Sequence, residues 1–258
     1  MPVTIFNGSS RVSSGNFSVG PRVTATTIVT ANLTHLFDAG DVASYSGTGN
    51  TWTNLAGSRN LALVNSPTFV SNGVASRFVF DGVNDHMTGS GYLTGSAPKS
   101  HTLNIIASFA SLPSTFTRYR FFSDTSNPTA YAVQQNGTTT GIDEIAMSQG
   151  TPNFNAYIYS APGSQFISQS QTAMFTFVSK DTGIDFYLNG SLLGGTTTDT
   201  FVVSSFISPT RVYSWATDPN AGGNFLSMSF SHIMWYSSSL SPSEITQNYN
   251  ALKDRYGI

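Results

Sequence analysis

Cysteine is absent from the 258 residues. Disulfide scaffolds, thiolate nucleophiles and thiolate-bound zinc are thereby excluded. Charge is scarce too. Asp, Glu, Lys and Arg together make up 9% of the chain, against roughly 25% in an average globular domain. The 11 basic and 13 acidic residues leave a net charge of −2. Such a balance offers no surface for tracking phosphates, so no nucleic-acid partner is expected. Glutamate is nearly missing, with only Glu144 and Glu244. No stretch approaches the roughly 18 apolar residues that cross a bilayer, so no membrane partner is expected either. The start, MPVTIFNGSSRV, lacks the basic head and continuous apolar run of a secretory signal.

Ser and Thr together number 69, with 23 Gly and 19 Phe. This much Phe, within a hydrophobic share of 39%, excludes a disordered chain. Abundant Thr, Ser, Phe and Gly favour strands and turns over helices. The surface chemistry suits an exterior setting, yet there is neither export signal nor disulfide. A particle assembled in a cytoplasm and released by lysis reconciles the two, as would leaderless export or a signal already removed.

Residues 1–30 are polar and rich in Gly and Ser, and read as an extended docking arm or a small satellite hairpin, with a disordered leader as the alternative. From residue 31 to 258, strand and turn signals recur about every ten residues, as in a single sandwich. Strands are expected at Leu33–Asp38, Leu61–Val64, Arg77–Phe80, His101–Ala110, Met174–Ser179, Ile184–Leu188, Phe201–Ile207, Arg211–Trp215 and Ser227–Tyr236. Asn189-Gly190 lies between two apolar runs. Both residue types tolerate the positive φ of a tight hairpin turn. One helix is expected, at the end: Ser241 as N-cap, Pro242 in the first turn, and Glu244 closing a capping box. Ile245, Tyr249, Leu252 and Tyr256 form its apolar stripe, and Gly257 ends it.

Three patches carry a family resemblance. The first is Leu36-Phe37-Asp38-Ala39-Gly40-Asp41 with Thr51-Trp52-Thr53-Asn54-Leu55. The second is Phe78-Val79-Phe80-Asp81-Gly82-Val83-Asn84-Asp85. The third is Asp185-Phe186-Tyr187-Leu188-Asn189-Gly190 with Trp235-Tyr236 and Leu240-Ser241-Pro242-Ser243-Glu244. Taken in order, they resemble the concanavalin A-like, laminin-G-type jelly roll in the form common among bacteriophage structural proteins. The resemblance implies an all-β fold: a two-sheet antiparallel jelly-roll sandwich with one short C-terminal α-helix. Lectins, hydrolases and purely structural modules share that fold, so function must come from the site.

Glycoside hydrolysis needs two facing carboxylates. Laminarinase-like relatives carry them as Glu-x-Asp-x-(x)-Glu on one strand. The similar string here, Gly141-Ile142-Asp143-Glu144, has glycine where the nucleophile would stand. Glu244 is accounted for by capping. No enzyme activity is expected. His35, His86, His101 and His232 stand apart, not at metal spacing, and read as structural residues with satisfied rings. Relatives often hold calcium through loop oxygens. Asp38, Asp81, Asn84 and Asp85 are the corresponding candidates, with turn-forming side chains as the alternative. No other cofactor is implied. For sugars, Trp215 leading into Asp218, Asn220 and Asn224 pairs an aromatic face with amide and carboxylate groups. Trp52 and Trp235 read as core.

Two functions remain. One is a virion structural protein (a decoration, tail or fibre component) located on the particle surface and held to other virion proteins through residues 1–30 by strand addition. The other is a carbohydrate-binding module for host or environmental glycans. A homo-oligomer is left open.

Overall fold

The computed structural model describes residues 5–6, 9–10, 26–90, 100–110, 118–124, 130–134, 141–142, 144–149, 155–160, 167–168, 170–180, 183–196, 212–215, 217–218, 224–225 and 227–258. The strands in chain order are β1 (Ile5–Phe6), β2 (Ser9–Ser10), β3 (Leu33–Asp38), β4 (Thr51–Trp52), β5 (Leu61–Val64), β6 (Thr68–Val70), β7 (Arg77–Asp81) and β8 (His86–Ser90). There follow β9 (His101–Phe109), β10 (Arg118–Asp124), β11 (Ala130–Gln134), β12 (Gly141–Ile142), β13 (Glu144–Gln149), β14 (Asn155–Ser160) and β15 (Ile167–Ser168). The last are β16 (Ala173–Lys180), β17 (Gly183–Leu188), β18 (Ser191–Thr196), β19 (Val212–Trp215), β20 (Thr217–Asp218), β21 (Asn224–Phe225) and β22 (Ser227–Tyr236). The helix α1 (Pro242–Tyr256) ends the chain.

Two eight-stranded antiparallel sheets face each other. One runs β14-β13-β11-β10-β19-β8-β5-β4. The other runs β18-β17-β16-β9-β22-β7-β6, with β3 also paired to β22. The expected all-β sandwich with one terminal helix is therefore the fold. Of the expected strands, Phe201–Ile207 lies outside the described residues. His86–Ser90 is a strand that its polar sequence had concealed behind a turn signal.

Alternation explains the packing. Along β22, Met228, Phe230, Ile233 and Trp235 point between the sheets, where they meet Leu103, Ile105 and Phe109 of β9 and Phe175 and Phe177 of β16. Trp52 packs against both Phe37 and Phe78 in tilted pairs, at 5.5 and 4.9 Å between ring centroids. Both Trp52 and Trp235 are fully buried, as expected of core residues.

The reverse face of the β22 sheet is covered as well, which is why β9, β16 and β22 are buried on both sides. Here Ile106, Met174, Val178, Tyr187, Met234 and Tyr236 receive Ile245 and Leu252 of α1. The helix starts as its sequence dictates. Ser241 accepts from the Glu244 backbone N–H, Glu244 reaches back to the N-cap backbone, and Gly257 closes the far end with a left-handed φ of 66°. Residues 27–29 are stapled to this layer. The Val29 N–H donates to Asn248 at 2.8 Å, the Tyr236 hydroxyl donates to the Val29 carbonyl at 2.9 Å, and Gln247 donates to the Thr27 carbonyl at 2.8 Å. The β17–β18 hairpin turns at Asn189 and Gly190, both with positive φ (48° and 76°), and Gly190 lies directly beneath Tyr249 of the helix.

Candidate functional site

The helix covers only part of that outer face. Past its C-terminal end lies a groove of about 460 Å³, within the size range of small-ligand sites. The strand sequences create it. On the outward positions, β22 carries Ser229 and Ser231 in place of large apolar residues, while the alternate Met228 and Phe230 point into the core. Ser229 sits between Val79 of β7 and Ser108 of β9 in register. The Ser108 and Ser229 hydroxyls are 2.7 Å apart. The result is a shallow, hydroxyl-rich floor.

The walls come from three directions. Asn72 and Ala75 belong to the loop before β7, Ser170 and Thr172 to the segment before β16, and Tyr256 to the helix end; Arg77 opens β7. The 72–76 loop is held by its own bonds. The Asn72 N–H donates to the Ser76 hydroxyl at 3.0 Å, and that hydroxyl donates to the Gly73 carbonyl at 2.6 Å. Arg255 ties the loop to the helix by donating to the Val74 carbonyl.

Behind Tyr256 sits a buried clamp. Both terminal nitrogens of Arg255 donate to the Asp38 carboxylate, the Nη1–Oδ2 contact at 2.7 Å. The His232 Nδ1 lies 3.6 Å from Asp38 and 3.3 Å from the Tyr256 hydroxyl. Desolvation pulls the His232 pKa down to about 4 against the opposing pull of Asp38, with Arg255 adding to the fall. Burial likewise pushes the Tyr256 phenol up, and Asp38 adds to it. His232 was expected to be satisfied, but its Nε2 is buried with no hydrogen-bond partner among the described residues. The bulge in the β22–β9 pairing at Phe230/His232 places the ring on the outer face beneath the helix end, where its neighbours serve Nδ1 only. His, Asp and Tyr side by side could move protons. His232 does not line the groove, though Tyr256 does, and the cluster joins the helix end to β3 and β22.

The four calcium candidates do not converge. Asp38 is taken by Arg255. The Asp81 Oδ1 accepts backbone N–H groups from Val83, Asn84 and Asp85 at 2.8, 3.2 and 3.3 Å, and these bonds hold its carboxyl below the usual range. The Asp85 Oδ2 accepts from the Asp81 N–H at 3.3 Å, and desolvation pushes its carboxyl up. The Asn84 carbonyl accepts from Asn65 at 2.8 Å. The DGVND stretch is thus a self-bonded turn. Among the described residues no cluster of three His, Asp or Glu could hold a metal ion.

The sugar loop is described in part. Trp215 pairs with Phe122 and with Met87 in the opposed sheet. Asp218 pairs with Asn224 in the β20–β21 hairpin, and Asn220 lies outside the described residues. The laminarinase-like string is split: Gly141 and Ile142 pair with β15, Glu144 begins β13 of the eight-stranded β14–β4 sheet, and Asp143 lies outside the described residues. The groove itself escaped the sequence reading. Its signal was the Ser227, Ser229, Ser231 alternation opposite Met and Phe.

The architecture defines a class, the two-sheet antiparallel sandwich with a helix on one outer face. No family model and no curated protein matches the sequence. Among solved structures, the chain is similar to the binding domain of botulinum neurotoxin DC in complex with SialylT, at a TM-score of 0.64 and 10% identity over 86% of this chain and 52% of that one. It is also similar to the botulinum neurotoxin serotype D binding domain (TM-score 0.62) and to the DC binding domain in complex with rat synaptotagmin II (0.61), both at 10% identity with the same coverage. The chain spans about half the length of these structures. At such identity the likeness establishes the β-sandwich fold.

Proposed function

We propose that the protein is a non-enzymatic carbohydrate-binding sandwich whose site is the outer-face groove. The observation that carries this is the floor of small hydroxyl residues, flanked by the Asn72 amide and the Tyr256 ring. Sugars present hydroxyls above apolar ring faces, and such a surface matches both. No carboxylate lines the groove among the described residues, and glycoside hydrolysis needs two. Receptor-binding domains on the same fold, one solved with SialylT, support a binding role. The finer setting, a virion surface with residues 1–30 docked on neighbouring proteins, is supported by the resemblance of residues 31–258 to phage structural proteins and by the arm-like composition of residues 1–30.

A glycan array tests the binding role. The wild type should bind a subset of glycans, and Thr172→Trp at the groove wall should abolish binding while the circular dichroism spectrum stays unchanged. A folded protein with no hits refutes the function. Hits that survive Thr172→Trp but vanish with Trp215→Ala move the site to the 215–224 loop. For the virion setting, unchanged particle incorporation after deletion of residues 1–30 refutes docking through the arm.

A further inference from the structure

We propose that the groove selects saccharides bearing a carboxylate, and that Arg77 is the residue that reads it. The inference rests on the groove being the sugar site and adds the ligand class. Arg77 is the one charged side chain lining the groove among the described residues. It is half-buried, and no ion pair or hydrogen bond is made by its guanidinium among the described residues. In a chain with only 11 cationic residues, this one does not belong to a surface lattice of alternating charge.

The surroundings sharpen the reading. Arg255, the cation on the far side of the 72–76 loop, is neutralised by Asp38. The remaining lining is hydroxyl, amide and phenol groups with the apolar Ala75, Val79, Ala110 and Met228. Among the described residues, the charge that lines the groove is positive and comes from a single fork of N–H donors. A guanidinium matches a planar carboxylate with two parallel bonds. Partial burial strengthens that match, because water and salt screen it less than on an open surface. Ser231 follows Phe230, the register partner of Phe78, and so sits beside Arg77 across the sheet. It is placed to accept or donate to the hydroxyls flanking the carboxylate. A neutral sugar would leave the guanidinium without a counter-charge in a confined space.

The test uses the full chain and three oligosaccharide probes of equal length: an oligouronate, the same chain with its carboxyl groups reduced to alcohols, and a sulfated neutral chain. Affinities are measured by calorimetry at low and at physiological salt. The wild type should prefer the oligouronate to its reduced form by about tenfold or more, as expected for a charge-assisted bidentate contact. Arg77→Gln should bring that ratio near one while the affinity for the reduced chain persists. Arg77→Lys keeps the charge without the fork, and should hold an intermediate ratio that falls with salt. Equal affinity for the uronate and reduced chains in the wild type overturns this inference and leaves the sugar-binding function standing. Tighter binding of the sulfated chain than of the uronate also overturns it. Failure to bind any of the three chains overturns this inference, and the glycan array then decides the sugar-binding function. If Arg77→Gln melts below the assay temperature, the Arg77→Lys ratio decides.

Discussion

Lowering the pH from 7 to 4 should unfold this protein through two buried imidazoles. His35 and His232 both have pKa values pulled from 6.5 down to about 4, in each case chiefly by desolvation. The unfolded chain therefore binds more protons than the folded one between those values. Stability falls as pH falls through 6.5 and has lost the full amount near 4. Each group loses about 1.4 kcal/mol per pH unit across that window, so the two together remove about 6 kcal/mol. That is comparable with the whole stability of an ordinary domain, about 5–15 kcal/mol. The groups facing His232 are Asp38 on β3 and Arg255 and Tyr256 on α1. Those facing His35 are Thr34, Arg59 and the Phe37 ring. Asp85, with its carboxyl pushed up, works in the opposite direction, since protonation favours its folded form. Asp81 and Glu244, both held down, lose their contribution as pH falls below their unfolded values of 3.8 and 4.5, so Glu244 adds to the loss at the acid end of this window. Urea unfolding at half-unit pH steps reads the loss directly. His232→Gln should remove about half of the slope between pH 6.5 and 4.5. A midpoint that stays flat over that interval, or a slope untouched by His232→Gln, refutes the reasoning.

Two further outcomes are expected. Arg255→Met leaves Asp38 buried without its counter-ion and frees the 72–76 loop, so it should cost about 3 kcal/mol in chemical denaturation; restoring neutrality with Asp38→Asn in the same chain should recover part of that loss. Thr176→Val should raise stability by about 1 kcal/mol, because the Thr176 hydroxyl is buried with no hydrogen-bond partner among the described residues and valine keeps its shape; a loss of similar size would mean that a partner holds that hydroxyl.

Most of the fold could be read from the residues, for physical reasons. The terminal helix carries its start and stop signals within the chain itself, and capping box, stripe and C-terminal Gly257 all operate as read. The Asn189-Gly190 turn is equally local. Ser227–Tyr236 alternates Ser with Met and Phe in its first half and continues into an apolar run buried on both faces, and its bounds match the strand residue for residue. His86–Ser90 failed because HMTGS has little strand propensity. It is a strand because β5 and β19 pair with it on either side. The surroundings of the calcium candidates are a different matter. The sequence placed Asp38 and Asp81 in oxygen-rich loops, but what claims Asp38 is Arg255, 217 residues away, which no local pattern announces.

The groove shows why the site was harder to read than the scaffold. Each of its walls comes from a separate stretch of chain, around residues 72–77, 108–110, 170–172, 229–231 and 256. Each stretch alone looks like an unremarkable run of Ser, Ala or Thr. They meet because the helix is only 15 residues long and stops at Gly257, about 22 Å from its start at the rise of an α-helix. Had the stripe continued for two more turns, it would have sealed the Ser229–Ser231 floor as Ile245 and Leu252 seal Ile106 and Met234. The serines stand on β22 where helix cover ends, and large apolar residues stand where it persists. The pattern on one strand thus records the length of an element that packs on it. The unsealed part is where an outside partner has room, and Arg77 is the one charged side chain lining it among the described residues.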